Sequence, residues 1–376
     1  MLEYLMSASQ YLAAFIVFVT VWGLLPFDHW WIRAVDFPRI QFIVLGVVAW
    51  LGMLLLTGSW AVWTAWQWLL LVALSIAIAF QLRMVLPYTV LWKKEVRKAS
   101  MSAEAPQLKI MVSNVLTPNN NTAALLQRIQ DKQPDILITL ETDQKWQRAL
   151  ASIETDYPYT VKVPLENLYG MHLYSKFELV DPEVKYLIVD DIPSIHTQLR
   201  LDNETLIWLY CLHPMPPSPT EADKSTTRDA ELLLVGQHIK ENQQTAILAG
   251  DLNDVAWSKT TRMFQRISGL LDPRIGRQFI NTFHVNYPFL RWALDHIFHS
   301  PSFTLVAIER LESIGSDHFP VLTTLQYEPE VCVEQIQAAP KATAEDKVET
   351  KETIEEGVDE GRRVSEEHAQ QQRGVK

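Results

Sequence analysis

The chain has 376 residues, with 33 basic and 44 acidic side chains and a formal net charge of −11. That length favours two structural units over one. The acidic balance excludes a global attraction for polyanions, so a nucleic-acid substrate would need a local basic patch. The charge is unevenly spread: +3 over residues 1–100, −8 over the middle to about residue 326, and −6 over the rest. Two cysteines, Cys211 and Cys332, make no disulfide framework and lack metal-ligand spacing. Cys211 lies in an apolar run and reads as a small buried hydrophobe.

Residues 1–100 hold most of the tryptophans and few charges. Three uncharged apolar stretches, residues 6–25, 40–57 and 61–80, are each 18 to 20 residues long. At about 1.5 Å per helical residue this approaches the roughly 30 Å of a bilayer core. Trp22, Trp30, Trp31, Trp60 and Trp92 lie near the ends, where indole favours the membrane interface. Three transmembrane helices are therefore expected in an integral protein of an inner or plasma membrane. A buried bundle in a soluble protein is the competing reading. The second and third stretches also fit one re-entrant hairpin around Gly58-Ser59. The opening Met-Leu-Glu-Tyr-Leu lacks the basic region of a cleaved signal peptide. With three spans, Arg33, Arg39, Arg83, Lys93, Lys94, Arg97 and Lys98 share one side and no Lys or Arg lies on the other. This bias places the large domain in the cytoplasm.

From Leu108 the pattern changes to short apolar runs broken by turn residues. Leu108–Ser113 reads as a strand. Thr122 is a candidate N-cap for a helix over 123–132, and 136–140 reads as a buried strand. Further strands are expected at 207–212, 245–249, 294–299 and 321–325, with a helix over 228–240. Residues 199–208 suggest a hairpin turning at Asp202-Asn203. Alternating strands and helices indicate an α/β domain with mixed sheets over residues 101–327. Residues 328–376 are poor in large apolar side chains and rich in charge, and are expected to be a disordered acidic tail.

Polar residues at strand ends carry the functional signal. Asn114 follows Lys-Ile-Met-Val-Ser, Glu141 follows Ile-Leu-Ile-Thr-Leu, and His213 follows Leu-Tyr-Cys-Leu. Asp251 and Asn253 follow Ala-Ile-Leu-Ala-Gly. Asp295 and His296 interrupt an apolar run, and Asp317-His318 precede Phe-Pro-Val-Leu. Groups costly to bury thus abut runs that demand burial. Singly, each has a plain alternative: a surface carboxylate at Glu141, a turn at Gly250-Asp251-Leu252-Asn253, a capped loop at Ser316-Asp317-His318. His172 reads as structural.

Taken in order, Asn114, Glu141, His213, Gly-Asp-Leu-Asn at 250–253, Leu-Asp-His-Ile at 294–297 and Ser-Asp-His at 316–318 resemble the endonuclease/exonuclease/phosphatase superfamily. The resemblance covers about Leu108 to Tyr327. It implies a four-layer α/β sandwich of two packed sheets flanked by helices, and metal-dependent phosphoester hydrolysis. Glu141, with Asn114 and Asp317, would hold the metal, and all-oxygen ligands suit Mg²⁺ or Mn²⁺. Asp251 would orient or deprotonate the attacking water, and Asn253 would donate to a phosphate oxygen. His318 would contact the phosphate, its tautomer held by Asp295, and His213 would serve the leaving group. The substrate stays open between nucleic acid, a phospholipid head group and a small phosphodiester. Arg262, Arg266, Arg274, Arg277 and Arg291 are either a phosphate-binding rim or solvated surface. A catalytically idle, membrane-tethered binding module is the alternative, although every expected polar position is filled.

Overall fold

The computed structural model describes residues 1–56, 63–100, 102, 105–201 and 204–374. The chain opens with helices α1 (Leu2–Trp22), the one-turn α2 (Trp30–Arg33), α3 (Arg39–Leu55) and α4 (Ala65–Val85). The three long helices bury Ala13, Ile16, Phe42, Ala49, Met53, Leu70 and Leu74 against one another. Their outer faces leave Phe15, Phe18, Val44, Val48, Leu69, Val72 and Ile76 exposed. The segments Glu3–Trp22 and Ala65–Tyr88 are each long and apolar enough to cross a membrane. Trp30–Asp36 and Arg39–Leu55 pass only as a pair, bent by 68°. α4 begins later than residue 61 because Thr64 and Gln67 form a capping box that fixes its start. The Gly58-Ser59 turn lies outside the described residues, as does the Asp202-Asn203 turn. Arg39 is buried within the bundle. It pairs with Asp36 and donates to Gln81 at 2.7 Å, while Gln81 donates to Thr20 at 3.0 Å. A charge in an apolar bundle persists only when paired in this way.

Among the described residues, eleven strands form two sheets. One has the order β10 (Phe303–Arg310), β11 (Val321–Tyr327), β1 (Gln107–Asn114), β2 (Ile136–Leu140), β4 (Met171–Ser175), β3 (Tyr159–Val163). The other runs β5 (Glu178–Lys185), β6 (Ser194–Arg200), β7 (Leu206–Leu212), β8 (Ala246–Asp251), β9 (Asp295–His299). Alternate side chains along a strand face opposite ways, and the burial follows that period. Ile110, Val112 and Ile138 of one sheet meet Leu209, Cys211, Ile247 and Ala249 of the other in the central core. Met111 and Leu137 face the opposite way, under α5 (Thr122–Lys132) and α6 (Gln144–Leu150). Tyr210, Leu212 and Leu248 face α7 (Thr226–Glu241) and α8 (Lys259–Ser268). The result is the four-layer α/β sandwich. The cap of α5 is Asn121 rather than Thr122, its side chain accepting from the Ala124 N–H at 3.4 Å. Strands β3, β4, β5 and β10 escape the sequence pattern because most carry polar or half-buried positions.

The expectation of a disordered tail is overturned. Residues 328–376 contain α9 (Cys332–Ala338) and α10 (Ala344–Gly374), a 31-residue helix lying along α7. Low hydrophobicity concealed it, yet Glu, Lys, Ala and Gln are strong helix formers. Docking combines ion pairs and close approach with the apolar contacts of Ile354 and Val364. Arg266 pairs with Asp346 at 2.7 Å, Lys259 pairs with Glu349, and His368 reaches Asp191 at 3.1 Å. A Cβ at Gly357 would stand 2.1 Å from the Ala230 Cβ, and one at Gly361 2.1 Å from the Ile188 carbonyl. Gly357→Val is therefore expected to weaken docking by about 1–3 kcal/mol, the usual cost of overpacking. Limited proteolysis should then cut the tail faster than in the wild type.

Candidate active site

The topology explains how residues scattered over two hundred positions meet. β1 and β2 are parallel, as are β7 and β8, and all four end at one edge of the sandwich. β9 and β11 run antiparallel to β8 and β1, so they begin at that edge. Asn114 ends β1, Glu141 follows β2, His213 follows β7, Asp251 ends β8, Asp295 begins β9, and His318 precedes β11. Gly250 adopts φ +151°, and a Cβ there would lie 1.9 Å from the Leu212 carbonyl. The glycine of Gly-Asp-Leu-Asn is thus required where β8 passes close to β7. Glu141 (φ 58°) and Asn253 (φ 50°) hold left-handed backbone conformations at the same edge, a form of strain common at functional sites.

A hydrogen-bonded chain crosses the edge between the sheets. Asn114 Nδ2 donates to Glu141 Oε1 at 2.8 Å and to Asp251 Oδ2 at 3.1 Å. Asp251 Oδ2 stands 3.5 Å from His318 Nε2, and His318 Nδ1 stands 2.8 Å from Asp295 Oδ2. The Asp295–His318 pair, 23 positions apart in sequence, is therefore in direct contact. Asp251, Asp295 and His318 are all buried, and one ligand atom from each lies within 4.8 Å of the others. Phe283 covers the His318 ring at 4.9 Å between centroids.

The environments push neighbouring groups apart in pKa. Burial alone would lower His318, but Asp295 and Asp251 outweigh it and raise the imidazole to about 10. It is a cation at neutral pH. Burial drives His213 down to about 4, against the pull of Asp251, so this imidazole is neutral. Burial raises Glu141 to about 7, opposed by the Asn114 hydrogen bond and aided by Asp317. Two acceptor atoms at the edge, Glu141 Oε2 and Asp295 Oδ1, are buried without a hydrogen-bond partner among the described residues, as is His213 Nδ1.

The remaining predicted residues sit at the rim. Asn253 donates through Nδ2 to the Pro214 carbonyl at 3.0 Å, which leaves one N–H of the amide. Asp317 is half-buried and accepts from Ser316 Oγ at 3.3 Å. His296 belongs elsewhere: its ring nitrogens contact Arg274 at 2.7 Å and the Asp254 carbonyl at 2.8 Å, so it is a buried structural group. His172 is likewise buried, beside the Tyr174 hydroxyl. Pattern reading missed Arg228, fully enclosed by Asp229 and Asp254, which donates to the Asn253 carbonyl at 2.8 Å. It also missed Tyr169, 5.3 Å from the His213 ring, and Thr282, whose hydroxyl accepts from the Asp295 N–H at 3.3 Å. Among these only Arg228-Asp229, an ion pair at a helix start, left a sequence signal.

The fold is an α/β sandwich whose two sheets bring a set of buried polar residues together at one edge. The model of the Endonuclease/Exonuclease/phosphatase family matches residues 111–318, and the chain belongs to that family. Among solved structures it is similar to D. rerio TDP2 complexed with a single-strand DNA product, at 18% identity and TM-score 0.50, covering 58% of this chain and 98% of that one. An endonuclease/exonuclease/phosphatase from Beutenbergia cavernae matches at 18% identity and TM-score 0.48, over 59% and 72% of the two chains. Sphingomyelinase C from Streptomyces griseocarneus matches at 16% and 0.44, over 59% and 100%. No curated protein sequence matches the chain significantly.

Proposed function

We propose that this chain is a membrane-anchored, divalent-metal-dependent phosphodiesterase acting on phosphodiesters at a membrane surface. The observation that carries the reading is the meeting of Asn114, Glu141, Asp251, Asp295 and His318 at one buried strand edge. The donor set fits a hard cation. Glu141 Oε2 is buried without a partner among the described residues, and the carboxylate of Asp317 lies near enough to raise the Glu141 pKa. Glu141, Asn114 and Asp317 would therefore hold Mg²⁺ or Mn²⁺. The Asp251–His318–Asp295 group is the weaker candidate, because the imidazolium already compensates its two carboxylates. When bound, the cation would neutralise phosphate oxygens and assist the leaving oxygen.

The chain's own residues supply the rest. Asp251 Oδ1 accepts from the Asn253 N–H at 2.9 Å, and its second lone pair would orient and deprotonate water. Cationic His318 binds a phosphate oxygen through Nε2, because Asp295 holds the Nδ1 proton. Asn253 adds its free N–H to the phosphate. His213, neutral, would donate a ring N–H hydrogen bond to the leaving oxygen, which takes its proton from solvent. Glu141→Gln should weaken Mg²⁺ affinity by about 10- to 100-fold, the scale on which metal sites lose affinity when a supporting group goes. Affinity should also fall as pH drops below about 7, where the cation must displace a proton from Glu141. Titration calorimetry checks both, and an unchanged affinity would reduce Glu141 to a strand-end carboxylate.

Two features support the membrane surface as the place of action. The exposed apolar faces of α1, α3 and α4 demand a lipid or partner environment. The bundle also packs on the site's own flank: Val255, Phe283 and Leu294 share a cluster with Phe37, Ile40 and Met84. Trp257 Nε1 donates to the Asp36 carbonyl at 2.7 Å and the Tyr88 hydroxyl to the Ala256 carbonyl at 2.6 Å. The basic residues at that end of the bundle favour a cytoplasmic catalytic domain. A panel of plasmid DNA, single-stranded DNA, RNA, phospholipid vesicles and an aryl phosphodiester, with Mg²⁺, tests the substrate class. Phospholipid turnover is expected. Efficient plasmid nicking that falls steeply with salt would mark a nuclease instead. Cleavage of the C-terminal tail by protease added outside intact cells would refute the placement.

A further inference from the structure

Away from the catalytic edge, a cavity of about 510 Å³ opens where the end of α4 meets α8. Two basic segments remote in sequence line it together: Arg83, Lys93 and Lys94 from the bundle side, Arg262 and Arg266 from α8. Arg83, Lys93 and Lys94 are exposed, and no ion pair or hydrogen bond engages their side chains among the described residues. Arg262 donates through Nε to the Ser258 carbonyl at 3.1 Å, and Arg266 is paired with Asp346. The facing acid is Glu95, which accepts from the Asp272 N–H at 2.8 Å. Burial pushes Glu95 up to about 8, so it cancels little of this charge at neutral pH. Met84, Pro87, Trp92 and Ile275 add apolar wall, alongside the polar Gln265 and Tyr88. Val90 and Leu91, next in sequence to the lining residue Trp92, stand 78% and 82% exposed, an apolar surface suited to acyl chains.

From this juxtaposition we propose a second, non-catalytic site that binds the phosphate of an acidic membrane phospholipid. The inference rests on α4 lying in a bilayer, since the cavity then sits at head-group depth at its end, with the exposed Trp92 at the interface. Basic pockets at the ends of membrane helices recognise anionic head groups by this combination of charge and depth. A free phosphate would satisfy the cations but would leave the apolar wall and Val90-Leu91 unused. Occupancy would fix the catalytic domain against the membrane, because the head group would bridge α4 and α8.

The test uses the full chain, purified in neutral detergent and offered dioleoylphosphatidylglycerol, dioleoylphosphatidylcholine or inorganic phosphate. Native mass spectrometry reads what stays bound. Retention of phosphatidylglycerol over phosphatidylcholine is expected, with no displacement by phosphate. The triple variant Arg83→Ala, Lys93→Ala, Lys94→Ala, all surface positions, should lose at least about tenfold in that affinity. Lys93→Arg with Lys94→Arg should keep it. Equal retention of both lipids, or full binding by the triple variant, overturns the site. Displacement by phosphate overturns the lipid assignment in favour of a soluble anion. Asp251→Asn should bind phosphatidylglycerol as wild type does, so failure here is read apart from failure of the catalytic reading. Release of the chain from membranes by an alkaline wash would mark failure of the membrane reading instead.

Discussion

Asp251→Asn is expected to lower metal-dependent phosphodiester cleavage by about 10²- to 10⁴-fold, the range lost with general-base assistance. The carboxylate is buried at the end of β8 yet faces the strand edge between Asn114 and His318. An amide is nearly isosteric, and the hydrogen bond from the Asn253 N–H to Oδ1, 2.9 Å in the wild type, survives the change. The far-ultraviolet circular dichroism should be close to wild type, whereas the thermal transition should fall, because the new NH2 faces the Asn114 donor and His318 loses one of its two carboxylates. What disappears is the negative charge that accepts a proton from water. Near-normal turnover by this variant, on any substrate the wild type cleaves, would remove Asp251 from the chemistry.

His318→Gln should cost about 10²- to 10³-fold in turnover, the scale on which a preorganised donor to developing charge contributes. Asp295→Asn separates the electrostatic role from the steric one. In the wild type, two carboxylates overcome burial and hold His318 protonated up to about pH 10. With Asp295 neutral, burial regains weight and the folded-state pKa drops. The alkaline limb of the rate profile should then move to lower pH while the acid limb stays in place. Stability carries the matching sign. A folded pKa raised above the ordinary histidine value of about 6.5 contributes stability that is fully present below about pH 6.5. That contribution is lost as pH rises through about 10. Asp295→Asn should therefore destabilise the protein most at neutral and acid pH. An unmoved alkaline limb would show that His318 does not act as a cation.

Much of the site was legible because burial and polarity conflict at strand ends. Asn114, Glu141 and Asp251 each close an apolar run, and a parallel strand has few reasons to end on such a group other than an open edge. The buried strands β2, β7 and β8 were legible for the same reason, as continuous apolar runs. The edge strands β3 and β5 were not, because half-buried positions erase the alternation. Tyr169, Thr282 and Phe283 were invisible, since they act through contacts that only the fold creates. The tail misled because charge was read as solvation. In α10 the charges are used for docking, and Gly357 and Gly361 supply closeness where large apolar residues are few.

The central claim is metal-dependent phosphodiester hydrolysis at the edge shared by the two sheets. It is tested most directly by hydrolysis of bis(p-nitrophenyl) phosphate by the full chain in detergent, followed through chelation and metal restoration. The account predicts turnover with Mg²⁺ or Mn²⁺, loss on chelation, recovery on re-addition, and no recovery in Asp251→Asn. Turnover that survives exhaustive chelation, or that Asp251→Asn shares with the wild type, would contradict it.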